Sequence, residues 1–236
     1  MAIECVSRTH VGLRRKVNED SMLVLTDRGL WAVADGMGGH EAGDVASGKV
    51  VEALGQLHAD TGLDALVDQA VSSLQGVNRQ LIALAESGGR QTIGTTVVGL
   101  AISGGQFRSF WAGDSRAYRV RDGAIQQLTR DHSVVQDLVE AGMLDSEGAR
   151  DHPNSNLITR AVGVAEDLKV DTVSGDVRAG DQFLLASDGL TRLVEDHELA
   201  AELSSKPPAD AADRLIEMVL SRGAPDNVTI IITKYI

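Results

Sequence analysis

The chain has 236 residues, a formal net charge of −12 and 43% hydrophobic residues. That much apolar material argues for a buried core and against disorder, and an acidic balance without a basic stripe argues against nucleic acid or an anionic membrane as partner. Aromatics make up 3% and the single cysteine is Cys5, which removes a base-stacking platform, an internal disulfide and a thiolate zinc site. In chain order, β-branched and aromatic runs bounded by Gly, Asp or Asn predict strands at 21–26 and 29–35. Apolar residues at three- and four-residue steps then predict two helices, one through Ala42, Ala46, Val50, Ala53, Leu54 and Leu57, the next from Leu63 to Leu81. Strands follow at 93–102, 106–114 and 117–120, the last opening a hairpin over 119–128 around Asp122-Gly123. Residues 130–170 are polar and short-ranged and read as a mobile excursion. A strand at 182–188, a helix through Ala212, Leu215, Ile216, Val219 and Leu220, and a strand at 227–236 complete the order. It lacks the regular alternation of a parallel sheet, so it predicts one α+β domain over 1–236, its sheet layers covered by helices. No apolar run of about 18 residues and no signal peptide is present, so no membrane segment is expected and the cytoplasm is the expected location.

An aspartate recurs at the strand tips: Asp35 after LWAVA, Asp114 after RSFWAG, Asp188 after QFLLAS, and Asp226 just before the last strand. A single Asp-Gly or Pro-Asp is a turn. Four such tips in one core bring carboxylates together, and converged carboxylates do not all stay ionised without a cation. An all-oxygen set suits Mg²⁺ or Mn²⁺, as one ion or as a pair that drives in-line hydrolysis. Arg15, in RKVNED, offers a planar fork of donors to a phosphate, and Glu19 and Asp20 in the same segment bring further acids.

The stretch DGMGGH (35–40) raises the question of a phosphate cradle. GDVASGKV (43–50) comes within one residue of a P-loop, but Val50 stands at the hydroxyl position and the match lies inside a helix. The dinucleotide spacing fails at Glu41. A metal site asks less of these glycines: they let backbone approach an ion, and the Gly36 carbonyl can be a ligand.

The ordered set RKVNED (15–20), DGMGGH (35–40), GTT (94–96), GDSR (113–116), SDGL (187–190) and PDN (225–227), with RDHS (130–133) and LITRAVG (157–163), resembles the metal-dependent Ser/Thr protein phosphatases of type 2C in their compact bacterial form. The resemblance spans essentially the whole chain. It implies a four-layer α-β-β-α sandwich, two antiparallel sheets flanked by helices, with a binuclear Mn²⁺ or Mg²⁺ centre at one end. It implies Asp35 as the bridging ligand with the Gly36 carbonyl, Asp188 and Asp226 as ligands of the second ion, and Glu19 and Asp20 as acids acting partly through water. Asp114, sharing Asp188, resembles the ligand of a third, weaker ion, Arg15 the phosphate-binding arginine, and residues 142–162 the flap that affects substrate choice. The implied activity is hydrolysis of phosphoserine and phosphothreonine in proteins by in-line attack of a hydroxide that the two ions activate, opposing a bacterial Ser/Thr kinase, in a monomer. Phosphoproteins, the kinase among them, are the expected partners. Two departures stand out. Met37 occupies the position of a histidine proposed as general acid in many eukaryotic members, leaving His40 or a water for that task. Arg192 stands where bacterial relatives often have Asp, a change expected to alter a surface contact without loss of the metals. A silent regulatory module is the rival reading, and the filled ligand positions argue against it.

Overall fold

The computed structural model describes residues 2–38, 42–57, 62–89, 92–145, 148 and 152–236. Its first half runs β1 (Ile3–His10), β2 (Asp20–Leu25), β3 (Leu30–Met37), α1 (Ala42–Gly55), α2 (Leu63–Ser87), β4 (Gly94–Thr95), β5 (Val97–Ser103), β6 (Gln106–Ala112), β7 (Arg116–Arg121) and β8 (Ala124–Gln127). Its second half runs α3 (Val134–Glu140), β9 (Asp171–Asp176), β10 (Gln182–Ala186), α4 (Asp188–Thr191), α5 (Asp196–Ser205), α6 (Pro208–Ser221) and β11 (Val228–Tyr235).

These strands form two antiparallel sheets. One has the order β1-β11-β10-β7-β8; the other is β2-β3-β5-β6-β9, with β4 beside β3. β3 explains the layering. Alternate side chains leave opposite faces of a strand. Trp31 and Val33 therefore enter the core between the sheets, with Phe107, Phe183 and Ile231. Leu30, Ala32 and Ala34 face the other way, under α1 and α2, among Leu54 and Leu74. A strand buried on both faces reads as one apolar run, as 29–35 does. On the outer face of the other sheet, Leu184 and Ile230 pack against Leu199 of α5 and Leu215 of α6. The result is the expected α-β-β-α sandwich. The hairpin turns where expected, with Asp122 and Gly123 both at positive φ.

The sequence missed β1, β9, α3, α4 and α5. It read 130–170 as a mobile excursion. The described part of that segment holds α3, closes on itself through a bridge from Ser133 to Ile158, and meets the rest of the chain through a bridge from Val162 to Thr95 and a hydrogen bond from His132 N to the Gly113 carbonyl (3.0 Å).

Register fixes where the acids go. β2 starts where β3 ends, so Asp20 lies opposite Asp35. β3 and β6 both run antiparallel to β5 and so end on the same side, as do the end of β10 and the start of β11. The tips carrying Asp35, Asp114, Asp188 and Asp226 share one end of the sandwich.

Candidate metal centre

The site is built on backbone that is held from several sides. At the tip of β3 the Asp35 carbonyl accepts from Thr96 N (2.9 Å) and Thr95 Oγ1 (2.9 Å), and Asp35 N donates to Thr96 Oγ1 (3.1 Å). Gly36 N donates to the Glu19 carbonyl (3.2 Å). A Cβ on Gly36 would lie 2.1 Å from the Gly43 carbonyl oxygen, and one on Gly43 would lie 2.5 Å from Glu19 Oε1. The pair of glycines thus lets the start of α1 meet the end of β3 backbone to backbone. Glu19 Oε1 accepts from Gly43 N (3.2 Å), a carboxylate on a helix N-terminus.

Asp114 follows the turn after β6. Its neighbour Gly113 donates its N–H to His132 Nδ1 (3.1 Å), so the His132 proton sits on Nε2 and is donated to Asp171 Oδ2 (3.1 Å). Burial holds the His132 pKa below its ordinary value. Asp188 opens α4, and there a Cβ on Gly189 would stand 1.8 Å from the Asn227 carbonyl oxygen. Asn227 in turn donates through Nδ2 to Val11 O (2.9 Å) and Val17 O (3.0 Å) and accepts from Glu19 N (2.9 Å). This one amide ties the segment carrying Arg15, Glu19 and Asp20 to the start of β11, beside the segment's own pairing with β3. Sequence reasoning passed over Asn227, the GTT hydroxyls and His132, although each lies in a stretch it had singled out.

Asp35, Asp114, Asp188 and Asp226 line one cleft of about 270 Å³, with Arg15, Glu19 and Gly36. Asp114 and Asp188 are only 7% and 9% exposed. Burial first, and then the charge of neighbouring aspartates, pushes Asp20 and Asp114 up to about 7 and raises Asp35 and Asp188 as well. Asp20 Oδ2 accepts from Ser187 Oγ (2.8 Å), whereas Asp20 Oδ1 and Asp188 Oδ1 are buried without a hydrogen-bond partner.

Two guanidinium groups reach into the cluster. Arg15 Nη2 is 2.8 Å from Asp226 Oδ2, and Arg192 Nη2 is 2.6 Å from Asp188 Oδ2. The expectation that Arg192 changes only a surface contact is thereby corrected: one turn after Asp188, its side chain folds back onto the acids. Among the described residues no three Asp, Glu, His or Cys side chains close into a finished ligand set. Even so, the donors fit hard divalent cations: carboxylate oxygens, two of them buried and unpartnered, with the Gly36 backbone near the end of β3 in the same cleft. His40 lies outside the described residues. Met37 ends β3 and lines the cleft.

Comparison with known proteins finds relatives of this chain in both sequence and fold. A family model described as protein phosphatase 2C matches residues 10–227. The serine/threonine protein phosphatase PstP of Mycobacterium tuberculosis is 37% identical over 233 residues, 98% of this chain. The chain spans 45% of that relative's length. Among solved structures, PppA, described as a key regulatory component of T6SS in Pseudomonas aeruginosa, superposes with a TM-score of 0.94 at 41% identity, covering 100% of this chain and 99% of that one. The catalytic domain of PstP in complex with two manganese ions gives a TM-score of 0.88 at 37% identity, covering 98% and 97%.

Proposed function

The chain belongs to the protein phosphatase 2C family, and from that premise we propose that it hydrolyses phosphoserine and phosphothreonine in proteins at the Asp35 end of the sandwich. The observation that carries this reading is the convergence of Asp20, Asp35, Asp114 and Asp188, all raised in pKa, with two carboxylate oxygens left without a donor. A buried set of like charges is stable only when protonated or when cations join it.

Asp35, the Gly36 carbonyl, Asp188 and Asp226 would hold two Mn²⁺ or Mg²⁺ ions, with Glu19 and Asp20 acting on the ions' waters. Bound there, the ions supply charge neutralisation for the phosphoryl oxygens and a lowered pKa for attacking water. The chain's own residues do the rest. Arg15, half exposed at the rim and on the Asp226 carboxylate, is placed to turn its free donors to the phosphoryl oxygens. The Thr95 and Thr96 hydroxyls fix the Asp35 backbone, and Ser187 orients Asp20. Residues 142–162, of which 146, 147 and 149–151 lie outside the described residues, would supply the flap that meets the substrate chain, and Asn156 and Ile158 reach the cleft wall. The leaving oxygen takes its proton from His40 or a water. Such a monomer would oppose a Ser/Thr kinase, acting on the kinase and on its substrates. No helix among the described residues is long and apolar enough to cross a membrane.

Turnover of p-nitrophenyl phosphate and of a phosphothreonine peptide with added Mn²⁺ tests the reading. Activity is expected to need the metal and to vanish in Asp35→Ala and Asp188→Ala. Undiminished turnover in either variant excludes this site.

A further inference from the structure

Arg192 brings a positive charge into the centre that belongs to the chain itself. It leaves the C-terminal end of α4, where its N–H donates to the Asp188 carbonyl (2.9 Å), and its side chain turns back. Nη2 lies 2.6 Å from Asp188 Oδ2 and 3.5 Å from Asp114 Oδ2. Nη1 donates to Asn156 Oδ1 on the far side. The side chain is 36% exposed and stands in the wall between the acid cleft and a neighbouring pocket of about 380 Å³. That pocket's other arginine, Arg116, is spent on Asp131, which it grips through both Nε (2.9 Å) and Nη2 (2.7 Å). Arg192 therefore faces Asp114 and Asp188 alone among the arginines lining that pocket. A guanidinium keeps its charge at any working pH, and its planar fork can serve two carboxylates and an amide in one geometry.

We propose that Arg192 is a built-in counter-cation between Asp114 and Asp188, filling the place a third exchangeable ion would need and tying Asn156 to the edge of the centre. The proposal rests on the metal-centre reading above and alters it at one point: Asp114 serves Arg192 rather than a third ion. Arg192 is a positioning residue, acting through Asp188 and Asn156. Unlike a divalent ion, its charge neither dissociates when metal is scarce nor carries bound water.

The test counts Mn²⁺ ions on the whole chain by calorimetry and by electron paramagnetic resonance of the free ion, with no reliance on turnover. Two ions are expected in the unaltered chain and three in Arg192→Ala, the added one the weakest. Asp114→Asn alone is expected to keep two, and combined with Arg192→Ala it removes the ion gained. Three ions in the unaltered chain, two in a folded Arg192→Ala, or the loss of an ion from Asp114→Asn each overturn the proposal while leaving the phosphatase reading intact. Asp114→Asn keeps the arginine in place, so the proposal stays open to refutation even if Arg192→Ala does not fold. A chain that binds no Mn²⁺ at all overturns both.

Discussion

Asn227 donates to the carbonyls of Val11 and Val17 and accepts from the Glu19 N–H, so one buried amide sets the path of the segment that presents Arg15, Glu19 and Asp20. Asn227→Ala strands those backbone groups. The expected cost is about 2–4 kcal/mol of stability, since each buried group without a partner costs about 1–3 kcal/mol, together with a 10- to 100-fold weaker Mn²⁺ affinity, the usual effect of losing an outer-shell partner. Urea denaturation and calorimetry read the two quantities, and an unchanged affinity would sever Asn227 from the centre. Arg15 makes a different kind of contribution. Half exposed and paired with Asp226, it contributes little to the fold. Arg15→Ala is expected to lower kcat/KM for a phosphothreonine peptide by about 10- to 100-fold, the worth of a charge-assisted hydrogen bond, with a thermal midpoint close to that of the unaltered chain; equal kinetics would remove Arg15 from substrate binding. The strand-tip aspartates were legible because an acid after an apolar run is a break in pattern. Asn227 was not, because an amide beside Pro-Asp reads as one more turn residue, and its three partners are 208 to 216 residues away in sequence.

Elements with a full apolar stripe or a doubly buried strand announced themselves: α1, α2, α6, β3 and β5. Those that depend on neighbours did not. β1 lies at a sheet edge against β11 with most of its side chains half-exposed, so IECVSRTH shows no clean alternation. α3 buries no residue fully, and α5 buries only Leu199 and Leu203, too few to draw a stripe. The tie of 130–170 to the rest of the chain was hidden for a similar reason, since Val162 meets Thr95 through a backbone bridge that leaves no side-chain pattern. The helix layer over the β3 sheet can be separated from the centre by experiment. Leu74 of α2 is fully buried against that sheet. Leu74→Ala is expected to cost about 2–5 kcal/mol with no change in Mn²⁺ affinity; a parallel loss of metal would mean that α2 shapes the site directly.

At the scale of the whole molecule, the sandwich gathers acids from strands far apart in the chain and buries them together, and the charge they share should appear in overall stability. In metal-stripped protein, Asp20 and Asp114 have pKa values raised from 3.8 to about 7, with Asp35 and Asp188 raised in the same direction. A raised folded-state pKa means that the folded chain holds its proton more tightly than the unfolded one, so these groups stabilise the fold fully below pH 3.8 and cease to do so as the pH rises through about 7. Glu198, held down to about 2 by Arg222, acts the other way, but only below about pH 4.5. His132, depressed by burial, also opposes them, losing stability as the pH falls below 6.5. Comparison with Asp114→Asn, which has no proton to release at that position, isolates the acid cluster from both. The unaltered apo chain is expected to lose more stability than Asp114→Asn between pH 4.5 and 7.5, as measured by chemical denaturation. Mn²⁺ at 100 times its Kd should then restore about 2.7 kcal/mol per site at pH 7.5 by mass action, because the cation takes over from the protons. Identical slopes in the two proteins, or an apo chain as stable at pH 7.5 as at 4.5 relative to the variant, would show that the cluster is not held together by protons when metal is removed.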